Sequence, residues 1–143
     1  MSKKNNTLPE QKVTAEQAER EINGWLDRKK IFNSTRDDHE ASIRVLVDAI
    51  MFGCLILNED DTFTHNLLFP IEGESASTDV LTYKSRINFR MLEPYLKGVA
   101  NNDGSGRVFA HLACLTGVAK GILKNLDPAD RRISDAIVVF FIT

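Results

Sequence analysis

Residues 54–70 read CLILNEDDTFTHNLLFP, and the hydrophobic period changes inside them. The apolar run at 54–57 is too short for a helix, and Asn58-Glu59-Asp60-Asp61 supplies turn residues. Phe63, His65, Leu67 and Phe69 then alternate onto one face, a period of two that belongs to a half-buried strand. Together these predict a β-hairpin, with Pro70 closing its second strand because proline brings no amide to the ladder.

Outward from the hairpin the period is helical on the N-terminal side. Residues 1–12 are polar and read as a mobile tail. Thr14 and Gln17 have capping-box spacing, and Ala15, Ala18, Ile22, Trp25 and Leu26 follow at helical intervals, predicting a helix over 14–30. Asn33, Ser34 and Thr35 interrupt it. A second helix over 36–52 carries a wide stripe of Ile43, Leu46, Val47 and Ile50, flanked by Val45, Ala49, Met51 and Phe52, and Gly53 is placed to end it. So wide a stripe implies cover on more than one side.

On the C-terminal side, a third strand is expected over 80–87, with Leu81, Tyr83 and Ile87 alternating against Thr82, Lys84 and Arg86. Short helical stretches follow at 89–96, limited by Pro94, then at 107–116, stopped by Gly117, and at 119–125. Asp127-Pro128-Ala129-Asp130 is a strong helix start, with Asp127 as cap and a second acid facing the positive helix end. The last helix reaches Ile142. The expected fold is therefore α+β: one helix-rich domain with a small antiparallel three-stranded sheet between N-terminal and C-terminal helices. Its segments are a tail at 1–12, a helical pair at 13–53 and a sheet-plus-helix region at 54–143.

A chain of 143 residues with 43% hydrophobic and 27% charged residues fits one globular domain. A net charge of −2 gives no global pull toward nucleic acid or an anionic membrane. The apolar run at 136–142 is far shorter than the roughly 20 residues a bilayer requires. The first residues carry lysines without the apolar stretch of a secretory signal. A cytosolic location, with no membrane contact, is expected.

Residues with possible chemistry do not assemble into a pattern. His39, His65 and His111 lack the i, i+4 spacing of a metal pair, and Glu59-Asp60-Asp61 lacks the calcium-loop spacing. Cys54 and Cys114 stand singly in apolar runs, as reduced core thiols. Asp103-Gly104-Ser105-Gly106 is not followed by the Lys of a P-loop and reads as a linker, with Ser105 capping the next helix. No cofactor, metal or catalytic residue is predicted, and the chain reads as non-enzymatic. Residues 107–126 have helix-turn-helix spacing, which would send 118–125 into a major groove; that segment offers only Lys120, Lys124 and Asn125 before the acids Asp127 and Asp130. A DNA-binding regulator is the alternative this spacing keeps open, though nucleic acid is a poor partner for so few bases-facing groups.

Residues 66–142 resemble the small tail assembly chaperones of contractile-tailed phages. The resemblance is carried in order by Leu67-Leu68-Phe69-Pro70, Tyr83-Lys84-Ser85-Arg86, Leu92 and Leu96. Leu112-Ala113-Cys114-Leu115-Thr116-Gly117 follows, then Leu123-Lys124-Asn125-Leu126-Asp127-Pro128-Ala129-Asp130 and Phe140-Phe141. The helices over 14–52 and Pro94 depart from that plan. The resemblance implies a non-enzymatic factor of the host cytoplasm that binds and solubilises the tape measure protein and helps recruit the tail tube protein. A structural tail component is the other reading within the same setting.

The last helix suggests how such a factor would work. Ile133, Ala136, Ile137, Phe140 and Phe141 form a core stripe, while Val138, Val139 and Ile142 are apolar and point elsewhere. Burying those three would contribute roughly 1.5–3 kcal/mol each. The expected partner surface, for the tape measure protein or for self-association, is Val138, Val139, Phe141 and Ile142 with Val45, Ala49 and Phe52; the alternative is that the N-terminal helices simply cover it.

Overall fold

In a computed structural model, which describes residues 8–142, the chain is α+β, as the change of period predicts. Three N-terminal helices, α1 (Ala15–Arg28), α2 (Asn33–Asp38) and α3 (Glu40–Met51), lead into strands β1 (Leu55–Leu57), β2 (Phe63–Ile71) and β3 (Thr78–Tyr83). Helix α4 (Phe89–Leu92) runs into a 3₁₀ turn at Glu93–Leu96, followed by α5 (Gly104–Thr116), α6 (Lys120–Leu123) and α7 (Pro128–Ile142). No helix among the described residues is long and apolar enough to cross a membrane.

The N-terminal region departs from expectation in three places. Much of the predicted tail lies outside the described residues, but Lys12 and Val13 are tied down, both amides donating to Met51 O. Thr14 does cap α1, accepting from the Gln17 amide at 3.1 Å; the Gln17 side chain reaches forward to Glu21 instead of back. The predicted second helix is two. His39 leaves helical geometry (φ −120°, ψ 33°), and its ring meets Phe140 edge-on at 5.9 Å. The interval 33–35, expected as a break, is the first turn of α2.

The sheet has strand order β1-β2-β3, antiparallel throughout. Phe63, His65 and Leu67 point inward as predicted, whereas Phe69 is 55% exposed. The cause is a bulge: between Asn66 and Ile71 β2 slips register against β3, which moves only from Val80 to Thr78. β2 therefore passes through Pro70 to Ile71, and the proline sits exposed in the irregular part. β3 stops at Tyr83 instead of 87 because Lys84 turns to the end of α5. Its amide donates to Leu115 O at 3.0 Å and its ammonium to Cys114 O at 2.7 Å, a cation at a helix C-terminus.

Helix α5 begins at Gly104, earlier than expected. Asp103, not Ser105, is its cap, accepting from the Gly106 amide at 2.9 Å. Helix α7 starts as read, with Asp127 Oδ1 accepting from the Ala129 amide at 2.9 Å. The main hydrophobic core runs from Ala18 to Phe140 and draws on both ends of the chain, and a smaller cluster joins Leu92, Ala110 and Cys114. Trp25, fully buried, sits at its centre, edge-on to Phe63 at 4.9 Å and to Phe140 at 5.9 Å. Helix α7 thus lies in the middle of the molecule, packed by α3, α5 and β2.

Gly117 ends α5 in the left-handed region at φ +74°, and a Cβ there would meet nothing within 4 Å. Its substitution isolates backbone cost from packing: Gly117→Ala should lower unfolding free energy by about 1–2 kcal/mol. Urea titration of the two proteins checks this, with no change in m-value expected.

Candidate functional site

Two features surround α7, a sealed polar cluster on its inner side and an open apolar groove on its outer side. The cluster begins with Asp130, which is fully buried. One carboxylate oxygen accepts from the Leu68 amide at 2.8 Å and the other from the Phe69 amide at 2.9 Å, taking up two donors that the bulge withdraws from the sheet. Asp130 Oδ1 also lies 3.3 Å from His65 Nε2. An ionised carboxylate only accepts, so Nε2–H donates to it and Nδ1 faces the Tyr83 hydroxyl at 3.0 Å. That hydroxyl is 2.7 Å from Ser134 Oγ, one helical turn beyond Asp130 on α7.

Burial alone would raise the Asp130 carboxyl, but hydrogen bonds from His65 and the two amides together outweigh it and hold the group below its ordinary value. Burial pushes the Tyr83 phenol well above its ordinary range. Asp130, His65, Tyr83 and Ser134 are all fully enclosed. Serine, histidine and aspartate therefore meet here without a path for substrate, and the cluster acts as a clamp between α7 and the sheet. The sequence reading placed His65 on the inner face of its strand but gave Asp130 only a helix-end role.

The groove lies between α3, α5 and α7 and has a volume of about 470 Å3. Val45, Val108, Val139 and Ile142 supply apolar walls over a floor that includes Val138, and Arg131, Arg132 and Asp135 a charged rim. Arg131 is held in place, donating to Asp135 at 2.8 Å with its guanidinium carbon 4.5 Å from the Phe109 ring centroid. Four of the seven residues expected on a partner surface thus come together: Val45, Val138, Val139 and Ile142.

The other three do not join them. Ala49 is buried, because α3 covers α7 through that face. The same packing corrects the expectation for Val138, which is 1% exposed and forms groove floor instead of free surface. Phe52 stands at the C-terminal end of α3, about 10 Å along the helix from Val45 at 1.5 Å per residue. Phe141 faces the opposite side of α7, 3.6 Å from Lys29 Nζ and 6.3 Å from the Trp25 ring. Arg132 drew no reading; its spacing of i+3 to Asp135 and i+7 to Val139 on α7 is the signal that could have found it, whereas Val108 comes from a separate helix, α5.

The remaining candidates resolve into local structure. His111 Nδ1 bonds Arg107 O at 2.8 Å, and Asp61 at the hairpin tip pairs with Arg28 at 2.9 Å. Among the described residues no three His, Cys, Asp or Glu side chains gather as a metal site. Cys54 and Cys114 are buried free thiols, both raised by burial. In the segment with helix-turn-helix spacing, α6 spans only Lys120–Leu123, about one turn where a recognition helix would lie. Its Leu123 is fully buried and its Lys120 ammonium donates to Tyr95 O at 2.6 Å. Comparisons with known protein families, with characterised proteins and with solved structures find no match.

Asp130→Asn should cost about 3 kcal/mol, since one amide oxygen cannot serve three buried donors. The sign with pH follows from the lowered carboxyl: its contribution is complete above the ordinary carboxylate range and is lost as pH falls through the folded-state value. Denaturation of both proteins across acid pH should therefore show the wild-type advantage shrinking below about pH 4.

Proposed function

We propose that this chain is a non-enzymatic tail assembly chaperone, which binds apolar helical segments of a phage tape measure protein in the α3–α5–α7 groove. Its action is to keep that long partner soluble in the host cytoplasm and to help bring tail tube subunits to it. The observation that carries the reading is the groove itself: half-buried Val45 and Val139 and the 42%-exposed Ile142 stand beside a rim bearing both charge signs. Apolar walls with a charged rim suit one face of an amphipathic helix, with contacts at i, i+3, i+4 and i+7.

The resemblance adds support of a different kind. Several residues that carry it have structural duties here: Gly117 ends α5, Asp127 starts α7, and Asp130 clamps α7 to the sheet. They support a shared C-terminal framework, while the groove supports binding.

Co-expression with a phage tape measure protein tests the reading. The wild-type chain should hold the partner in the soluble fraction and co-purify with it. Val45→Asp and Ile142→Asp, each placing an unpaired charge in an apolar wall, should weaken recovery of the complex by about tenfold or more while retaining native circular dichroism. Complexes recovered equally with both folded variants, or a partner that stays insoluble beside the wild-type chain, would overturn it. Finding the chain in purified virions would favour the structural-component reading instead.

A further inference from the structure

A second cleft, about 390 Å3, opens where the turn after α1, the segment after β3 and the C-terminal end of α7 converge. Lys29, Lys30 and Arg86 enter it from two separate elements, beside Phe32, Ile87 and Phe141. Among the described residues no carboxylate forms an ion pair or hydrogen bond with any of the three cations. Asp61 attracts Lys29 but is itself bonded to Arg28, and Asp27 is bonded to Arg36. Lys29 is half-buried, its ammonium held over the Phe141 ring at 3.6 Å and 5.6 Å from the Trp25 ring centroid. Burial first, and then repulsion by Arg86, lowers its pKa to about 8. Lys30 is exposed in the left-handed region at φ 62°, and Phe32 leaves 78% of its surface in solvent at the cleft mouth.

Like charges brought together in a half-desolvated place destabilise one another, and an anion seated between them removes that cost. The C-terminal ends of α1 and α7 contribute partial negative charge nearby, but three full cations exceed two half-charges. The exposed Phe32 ring adds an apolar contact that a bare inorganic anion would not use. We propose that this cleft docks a short acidic peptide segment of a partner protein, setting a carboxylate between Lys29 and Arg86 and an apolar side chain against Phe32. This site is separate from the α3–α5–α7 groove and does not depend on the function proposed for it.

The probe is an acetylated, amidated pentapeptide, Glu-Phe-Asp-Leu-Glu, added to the full isotope-labelled chain and followed by NMR, with the Gln/Asn version as its neutral control. The acidic peptide should shift resonances at 29–35 and 86–87, bind more weakly at high salt, and raise the pH at which the Lys29 ammonium titrates. Lys30→Gln with Arg86→Gln, both at exposed positions, should weaken binding about tenfold with the fold retained. Equal binding of the neutral peptide, unchanged affinity in the double variant, or occupation of the cleft by a single-stranded oligonucleotide but not by the peptide would overturn the proposal.

Discussion

The contact on which the rest of the molecule turns is the enclosed carboxylate of Asp130. It takes the Leu68 and Phe69 amides that the β2 bulge leaves without ladder partners, and it also holds His65. An unsatisfied backbone donor at that depth costs about 1–3 kcal/mol, so the bulge and the acid require each other. Without the acid, β2 would need a regular ladder through Pro70, which has no amide to give. Without the bulge, the acid would be a buried charge with one partner. Ser134 and Tyr83 extend the same clamp by a helical turn, fixing both rotation and height of α7 against the sheet.

With α7 fixed on its inner side, its outer side is set as well. The helix presents Ile137 and Phe140 to the core, Val138 to the floor of the groove, Val139 and Ile142 to its walls, and Phe141 to the basic cleft opposite. A helix apolar on every side would be a liability in isolation. Here α3 and α5 stand close enough to narrow the outer face into a groove. The two clefts on either side of α7 have contrasting character: one apolar with a mixed rim, the other cationic and aromatic.

Much of this fold was legible from local pattern. The change of period at 54–70, the caps at Thr14 and Asp127, and the stops at Gly53 and Gly117 all depend on neighbours within a few positions. What the sequence concealed depends on distant partners. Asp130 read as a helix-end acid because its acceptors' donors lie 61 to 65 positions away. Phe69 kept the alternation that predicted burial, yet the bulge turned it outward. Nothing local marked His39 as a break, since the constraint there is the Phe140 ring of another helix. For the site, helical spacing found the apolar residues of α7 but not which flank a neighbouring helix would cover; Val138 and Ala49 were lost from the expected surface for that reason. Lys29 and Arg86, remote in sequence, gave no sign of meeting.

In the proposed function, a clamped α7 offers its outer face, together with α3, to a helical client. Hydrogen–deuterium exchange of the chain alone and in complex with the tape measure protein addresses that claim most directly. Slowed exchange is expected at 41–45 and 138–142, with the clamp residues of β2 protected equally in both states. Protection elsewhere on the surface, with those two segments exchanging at the same rate in the complex as alone, would contradict it.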